Sequence, residues 1–547
     1  MRKESSDNES YIILNDYLPQ EPVDMVVVLT LIVLAFYYVW RAAYLTPWYD
    51  ELYTYYYFIS RGPLYAAIHW PLPNNHVGYS VLSAILDFFG NSYVGLRGVS
   101  FVCALLNPYL VFRICKRYMD KWMSYGAMIL YVSCMLVNEL AVQGRGYTLA
   151  TTCFLISIRQ LCLICSAEEF KLKDYVIFSA SLVLGLYTLP SSIYWVLPTC
   201  TAAGLFLIIN GYRTLDRNDP IWKNRYFKKL KRCIIAGLVA AGITFMLYLI
   251  IWLAIGSNLL VKEEGSLYYG MSHVQMILRH PFKSAFQGIE YMLSQPYIQS
   301  VERAGYLNRF REWIVNLSMQ MFPDTYVAAI IIVMCGLIIL FSECLRHFEN
   351  SRTIFSLIVL VNSIGFQLIL ILQAKLPYFR VFSYMGVISA ISIAVVIEHL
   401  NVRLEEKFKD KMVNERLKVL IYYLPIVITF LFVISSILKP EYYAQYGDRE
   451  SDCYNALYIA RPDENKKLCV LDCDQEYLLK FGFDVECTNT DVYNCDYVLI
   501  DRNMMKEAYH GYDDWKFYQN YDTIPWDYIN SEMHIFYENE YFVLYKR

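Results

Sequence analysis

Residues 25–51 read MVVVLTLIVLAFYYVWRAAYLTPWYDE, and this stretch decides the class of fold. Its apolar part is long enough to cross the ~30 Å hydrocarbon core of a bilayer as a helix that rises about 1.5 Å per residue. No cleavage signature of small residues follows the apolar part, so we expect a retained membrane anchor. An acidic pair, Asp50 and Glu51, comes directly after this first span.

The rest of the chain repeats the apolar pattern. Ten further runs begin near Gly98, Trp122, Gly146, Tyr175, Ile193, Cys233, Thr325, Thr353, Val381 and Val419. Only 18% of the 547 residues are charged, compared with roughly 25% in soluble domains, and this composition excludes a soluble enzyme. The net charge of −3 gives no basic field for nucleic acid. The sequence therefore predicts an all-α polytopic membrane protein with about eleven transmembrane helices.

Basic residues indicate how the chain is oriented in the membrane. Lys and Arg accumulate in every second short loop, within the ranges 116–121, 171–173, 213–232, 346–352 and 403–418. By the positive-inside rule these loops are cytoplasmic. We then expect a cytoplasmic segment at 1–24, a transmembrane domain at 25–438 with outer loops at 47–96 and 257–323, and an extracytoplasmic domain at 439–547. The expected location is the cell membrane, or the endoplasmic reticulum of a eukaryote.

The polar tail has the pattern of a small α/β domain. Residues 467–472 (KLCVLD) and 497–501 (YVLID) are strand candidates, and residues 533–546 resemble a hairpin that turns at Glu538–Asn539. Gln475–Phe481 is a helix candidate that ends at Gly482. The tail has no catalytic motif, so we expect an acceptor-side lid or a packing domain. The sequence leaves open the redox state of its five cysteines: Cys453, Cys469, Cys473, Cys487 and Cys495.

The first outer loop contains the candidate catalytic residues. Aromatic residues dominate positions 46–65, as in an interfacial helix, and Val77–Leu86 is too short for a span and is a second interfacial candidate. Two roles are open for Asp50: it caps the N-terminus of the helix that follows the first span, or it acts as a general base. Neighbours on a helix point about 100° apart, so Asp50 and Glu51 do not share a proton.

A small set of cations lies at the outer ends of predicted spans: Arg97, Arg145, Lys375 and Arg380. Each one alone fits an anchor whose long side chain reaches the interface. Together with a carboxylate they also fit an outward-facing site for an anionic lipid-linked substrate. In such a site the cations hold a phosphate, and the carboxylate accepts a proton from an attacking hydroxyl.

The order of these motifs resembles a known superfamily. The acidic pair is followed by NNH at 74–76, FGNSYVGLR at 89–97 and QGRGYTLA at 143–150. This order resembles the GT-C superfamily of membrane glycosyltransferases, and it is most similar to the group of protein O-mannosyltransferases and lipid A aminoarabinose transferases. LPYFR at 376–380 resembles that group more weakly. The resemblance is good over residues 1–165, and the later spans match only in pattern.

The resemblance implies a glycosyltransferase. The donor would be a polyprenyl-phosphate-linked sugar, the acceptor a hydroxyl of a protein, lipid or cell-envelope polymer, and the anomeric carbon would be inverted. Asp50 and Glu51 would form the catalytic pair with Asp50 as the base, and Arg145 and Arg380 would face the donor phosphate.

The other residues of the predicted site are Lys375, Arg97, Asn75 and His76. The related enzymes have a His or Lys followed by Pro-Pro-Leu where this chain has His76 followed by Val77 and Gly78. Either Asn75 or His76 would therefore do the corresponding work.

Other functions compete with this interpretation. A transporter or a flippase for lipid-linked sugars is the main alternative, although polar residues cluster at one face here rather than at mid-membrane. A noncatalytic receptor or scaffold explains the tail but not the carboxylate with its cations. No cofactor is required by the sequence, and a divalent metal ion is left open. The identity of the sugar, the polyprenol length, the acceptor and the oligomeric state are not encoded in any recognisable pattern.

Overall fold

The computed structural model describes residues 21–70, 74–215, 220–294, 300–348, 351–408, 415–444, 448–460, 467–483, 491–506 and 519–547. In the first half of the chain the helices are α1 (Pro22–Tyr44), α2 (Tyr49–Tyr57), α3 (Pro63–Ile68), α4 (Val77–Asp87), α5 (Ser92–Cys115), α6 (Lys121–Ser133), α7 (Met135–Leu140), α8 (Tyr147–Ser166), α9 (Leu172–Thr188), α10 (Ile193–Arg213) and α11 (Arg225–Lys262). In the second half they are α12 (His273–Arg279), α13 (Pro281–Ser294), α14 (Tyr306–Met321), α15 (Tyr326–Arg346), α16 (Ser351–Gln373), α17 (Met385–Phe408), α18 (Glu415–Ile437), α19 (Pro440–Tyr443), α20 (Asp448–Ala460), α21 (Cys473–Phe483) and α22 (Trp526–Glu532).

Eight of the described helices are long and apolar enough to cross a membrane: α1, α5, α8, α10, α11, α15, α16 and α17. The three other predicted spans coincide with α6, α9 and α18: α6 and α9 have 13 and 17 residues, and the described side chains of α18 form the shorter apolar stretch Tyr423–Ile437. The polytopic all-α architecture is therefore confirmed, and the count of eleven spans stays a prediction. Residues 77–87 form the short helix α4, as their length and composition predicted.

Polar caps begin several of these helices where the apolar pattern starts. The Asn91 side chain accepts a hydrogen bond from the Val94 amide at the start of α5, and Asp120 does the same for Trp122 at the start of α6. Such caps satisfy backbone donors that would otherwise lack a partner.

Helix α8 occupies the centre of the helical domain. Of its apolar window, 83% is buried, compared with 22% for α1 and for α15. Its first turn therefore begins inside the bundle rather than at its rim, and this turn follows the segment that contains Arg145. The fold in this way places a predicted cation in a protein-lined environment.

The segment at 257–323, which the sequence predicts to be an outer loop, contains helices α12, α13 and α14. Helix α13 crosses α11 at very short range: a Cβ atom on Gly288 would overlap the Trp252 carbonyl oxygen, and one on Gly256 would overlap that of Ser284. Only glycine permits such an approach of two backbones. The opposite side of α13 exposes Phe282 and Phe286. Helix α13 is thus an amphipathic helix fixed on a long span.

The tail forms a four-stranded sheet with β1 (Leu468–Val470), β2 (Tyr497–Asp501), β3 (His534–Glu538) and β4 (Phe542–Lys546). The strand order is β1-β2-β4-β3, where β1 and β2 are parallel and the other pairs are antiparallel. Both strand candidates and the hairpin are confirmed. Helix α21 is longer than predicted, since it runs from Cys473 through Gly482 to Phe483. Cys487 lies outside the described residues, and the other four cysteines of the tail are free thiols in the structure.

The tail packs directly on α2 of the first outer loop. Tyr477 of α21 stacks on Tyr56 at 5.4 Å between ring centroids, and Phe481 meets Tyr55 edge-on at the same distance. One hydrophobic cluster contains Leu52 of α2 together with Leu478 and other residues of the tail. The tyrosines expected to form an interfacial belt therefore contact protein, because α21 covers them.

Candidate active site

The buried carboxylate of Glu51 connects α2, α5 and the segment that precedes α8. Its carboxylate caps α2 by accepting the Trp48 amide at 2.9 Å, and it accepts the Gly144 amide at 2.6 Å. The Arg97 guanidinium of α5 donates to both carboxylate oxygens, at 2.9 and 3.0 Å. Glu51 is fully buried, and all of these bonds are directed at its two oxygens. This geometry favours a positioning role for Glu51, and the catalytic role that the sequence suggested for it stays a prediction.

Arg97 is also occupied by structural partners. Besides Glu51, it donates to the carbonyl oxygens of Ala42 and Leu45 at 2.7 and 2.8 Å, and its side chain is buried. These bonds hold the end of α1 and the link to α2. They favour a structural role for Arg97, and the contact with a donor phosphate expected for it stays a prediction.

The Asp50 carboxylate points away from the Glu51–Arg97 pair. Since Glu51 caps α2, the capping role left open for Asp50 is already filled. Asp50 instead forms an ion pair with Arg380, with 3.2 Å between Oδ2 and Nη1, and its side chain is 18% exposed. A predicted carboxylate and a predicted cation, 330 positions apart in the sequence, thus meet in the fold.

Arg145 is almost completely buried and, unlike Arg97, has no carboxylate partner among the described residues. It is 2% exposed and donates to the Asp50 carbonyl oxygen at 3.2 Å and to the Thr54 hydroxyl. Its second amino group donates to the Asn74 amide oxygen and lies 3.2 Å from Nε2 of His76. Within the described part of the chain, all of these partners are uncharged, and Nε has none.

The glycines around Arg145 permit this close packing. A Cβ atom on Gly144 would lie 2.6 Å from the Leu96 side chain, and one on Gly146 would lie 2.6 Å from the Thr188 side chain. The QGRG motif therefore has a steric reason for its glycines on both sides of the arginine. It lets a charged side chain enter from a segment that is tightly packed against α5 and the end of α9.

His76 is held as a neutral ring next to Arg145. Burial, together with the positive charges of Arg145 and Arg380, holds the pKa of His76 well below its usual range. Nδ1 accepts the Gly146 amide at 2.9 Å, so the ring proton resides on Nε2. The Nε2–H group and the Arg145 guanidinium are then both donors, and both can bind a common acceptor.

Asn75 has a structural role. Its amide nitrogen donates to the carbonyl oxygens of Ala66 and His69 at 2.9 and 3.0 Å, and its oxygen accepts the Ser80 hydroxyl. These contacts tie the end of α3 to the start of α4. Between Asn75 and His76, the choice that the sequence left open, only His76 contacts the arginine.

Arg380 lies among aromatic rings. Its guanidinium carbon is 5.2 Å from the Trp48 ring centroid, 5.8 Å from that of Tyr147 and 4.9 Å from that of Tyr378. Such rings stabilise a cation without neutralising it. The segment is held by α14, where Trp313 donates to the Pro377 carbonyl oxygen at 2.8 Å. Arg380 can therefore bind an anion in addition to Asp50.

Lys375 lies on the same segment as Arg380 but is not drawn into the cluster. Its backbone carbonyl accepts the Tyr306 hydroxyl at 2.9 Å, and its amide donates to Leu370. Among the described residues its ammonium group has no hydrogen bond or ion pair with Asp50, Arg145 or Arg380. It stays a predicted ligand without supporting contacts.

Sequence reasoning missed several residues of the site. Asn74 and Thr54 bind Arg145, and Tyr147 contacts both His76 at 5.0 Å and Arg380. Glu139 of α7 lies within electrostatic reach of Arg380. A signal for Glu139 existed, because it is an isolated acid in an apolar run just before QGRG.

No metal centre is evident in the ranges that the structure describes, where no three His, Cys, Asp or Glu side chains lie close enough to hold an ion. The arrangement is instead a carboxylate beside two arginines, one buried and one in an aromatic setting. It can bind an anion and accept a proton at neighbouring points.

Comparisons with known proteins place this geometry in context. Residues 76–223 match the family model described as dolichyl-phosphate-mannose-protein mannosyltransferase. No curated protein matches the sequence significantly.

Solved structures resemble the whole chain. ArnT from Cupriavidus metallidurans bound to undecaprenyl phosphate is 11% identical, with a TM-score of 0.51, over 95% of this chain and 97% of ArnT. The oligosaccharyltransferase from Archaeoglobus fulgidus in its apo form is 12% identical, with a TM-score of 0.49, over 88% of this chain and 70% of that one. The match to ArnT along nearly its entire length confirms the predicted fold: the chain is a multi-pass membrane protein with the fold of the GT-C superfamily.

Proposed function

We propose that the protein is a membrane glycosyltransferase that moves a sugar from a polyprenyl-phosphate-linked donor to a hydroxyl of an extracytoplasmic acceptor. The description of the family matched by residues 76–223 supports a dolichyl-phosphate-linked sugar as donor. The ArnT structure of the same fold holds undecaprenyl phosphate. The order of motifs in the first outer loop supports the same reaction.

The observation that carries the proposal is the environment of Arg145. A guanidinium that is 2% exposed and has only uncharged partners among the described residues is costly, because a buried charge needs a counter-ion. A donor phosphate would supply that counter-ion. The unpartnered Nε of Arg145 and the Nε2–H group of His76 would donate to its oxygens.

Asp50 is the proposed general base. The acceptor hydroxyl gives its proton to the Asp50 carboxylate as its oxygen bonds to the anomeric carbon, and the bond from that carbon to the phosphate oxygen breaks. One displacement of this kind inverts the anomeric centre. Arg380 can bind Asp50 and the departing phosphate together, because a guanidinium has five N–H donors in a planar fork. Preorganised cations at the leaving group are often the largest catalytic contribution.

The test uses purified protein, a panel of radiolabelled polyprenyl-phosphate sugars and separate protein, lipid and polymer acceptors. We expect transfer from at least one donor, and in Asp50→Asn a fall in turnover of about 100-fold or more with donor affinity retained. Asp87→Asn is the matched control, since Asp87 is a carboxylate of the same loop that bonds the Tyr55 hydroxyl outside the site.

Two results would contradict the proposal. Full activity in Asp50→Asn would show that Asp50 is not the general base, although the proposed reaction would still stand. Neither transfer nor hydrolysis of any donor by the unmodified protein would reject the reaction itself and favour the transporter interpretation.

A further inference from the structure

A groove of about 670 Å³ runs along the surface of the helical domain between α9 and α11. Val176 and Val183 of α9 form part of one wall, and Ile235 and Val239 of α11 form part of the other. One end of the groove, at Tyr187, lies near the candidate site, and the other end, at Phe170 and Arg232, lies at the opposite end of α9. The end of α9 at Thr188 packs near Gly146 in the candidate site, whereas the groove extends to the opposite end of α9, near Leu172.

A cation closes the end of the groove that is remote from the candidate site. The guanidinium carbon of Arg232 lies 3.9 Å from the centroid of the Phe170 ring, and both residues line the groove. This contact fixes the charge at the mouth of the groove but does not neutralise it. Across the described ranges no carboxylate forms an ion pair with Arg232, and the nearby Glu168 and Glu169 side chains are exposed.

The position of the groove dictates the chemistry of what fills it. Helix α11 has only 28% of its apolar window buried, so it borders the hydrocarbon of the bilayer. From Leu172 to Tyr187 the wall of α9 rises about 22 Å, which exceeds the ~15 Å depth of one leaflet. Water does not fill an apolar groove at this depth, and a single acyl chain fits along it.

The charge at the mouth selects the headgroup. Arg232 ends the basic segment 213–232 and is followed at once by the apolar part of α11, which places it at the depth of lipid headgroups. A phosphate there would find a guanidinium with no competing carboxylate. An anionic lipid gains about 1 kcal/mol per basic residue at such a surface, which is about a fivefold preference.

We propose that this groove is a binding site for one anionic phospholipid, with an acyl chain between α9 and α11 and the phosphate on Arg232. The site is separate from the donor site and independent of the proposed reaction. It would hold α9, and through Thr188 the floor of the candidate site, in one position.

The test reconstitutes the full chain in nanodiscs of equimolar dioleoyl phosphatidylglycerol and dioleoyl phosphatidylcholine and counts retained lipids by native mass spectrometry. We expect one phosphatidylglycerol to be retained about five times more often than phosphatidylcholine. Arg232→Gln should abolish this preference, whereas Lys228→Gln should keep it, because Lys228 carries the same charge on the same helix but does not line the groove.

A second pair of variants tests the groove itself. Ala180→Trp places a large side chain in the groove and should remove both lipids, whereas Ile177→Trp, on the same helix outside the groove, should retain them. Equal retention of the two lipids by the unmodified protein would overturn the proposal. So would an equal effect of Arg232→Gln and Lys228→Gln, or a dimer that Ala180→Trp dissociates without changing the lipid count.

Discussion

At the scale of single residues, Arg145 is the side chain on which donor binding depends most. Replacement by Gln removes the charge but keeps a polar side chain, so donor affinity should fall by about 2–3 kcal/mol if charge-assisted bonds to the phosphate are lost. Arg61→Gln is the control, because Arg61 is an exposed cation of the same loop that contacts the Tyr57 and Tyr65 rings. Isothermal titration calorimetry with a polyprenyl-phosphate sugar measures the donor affinity of both variants. Equal affinities in the two variants would make Arg145 a structural residue.

The second prediction at this scale concerns the stability of the Glu51→Gln variant. Glu51→Gln leaves the buried Arg97 guanidinium without its counter-ion, and breaking a buried pair typically costs about 3–5 kcal/mol. We expect a large fall in the melting temperature, with activity lost in proportion to the folded fraction. Asp50→Asn should melt close to the unmodified protein. Loss of turnover in Glu51→Gln with an unchanged melting temperature would return the base to Glu51.

The same pair of acids marks the limit of sequence reasoning about the site. The motif order located Asp50, Arg145 and Arg380, because their positions at helix ends follow from the span pattern. The resemblance named Asp50 as the base, but the residue pattern alone does not separate Asp50 from Glu51, since two adjacent residues differ only in which way their side chains point. That direction is set by Arg97 and Gly144, which are distant in sequence and reach Glu51 only after packing.

At the scale of elements, the crossing of α13 over α11 is the most sensitive contact. Gly288→Val would place a branched side chain where even a Cβ atom would overlap the Trp252 carbonyl oxygen, so the two helices must separate. We expect a lower melting temperature and faster proteolysis in residues 257–323. Gly237→Val is the control, because Gly237 is on the same α11 with nothing within 4 Å of its Cβ position. Similar melting of both variants would disprove this packing.

Elements were predictable to the extent that they follow a local pattern. The strands β2 and β4 alternate between two buried clusters and were identified from their apolar runs, and α4 was identified from its length. The contact of α21 with α2 was not predicted, because a row of tyrosines has the same composition whether it faces lipid headgroups or another helix. The close approach of α13 to α11 was not predicted either, because it depends on Gly256 and Gly288, which are 32 positions apart and show no common pattern in the sequence.

At the scale of the whole molecule, the packing of the tail on α2 requires both to lie on the same side of the membrane. Single cysteines at Ser60 and Ser531, in an otherwise cysteine-free chain, should therefore react alike with an impermeant maleimide on intact cells or sealed vesicles. Both serines are exposed in the structure. Reaction at only one position would contradict the contact between α21 and α2. Reaction at neither, with labelling after permeabilisation, would invert the predicted orientation.

The hydrophobic cluster that contains Leu52 also contains Leu544 of the central strand β4. A ribosome adds roughly 5–20 residues per second, so the interval between the synthesis of these two leucines is on the order of 25–100 s. During that interval the sheet lacks an inner strand, and the helix that carries Asp50 has an incomplete cover. The last predicted span, α18, ends at Ile437 and is therefore synthesised before the Asp50 helix can acquire its final surroundings.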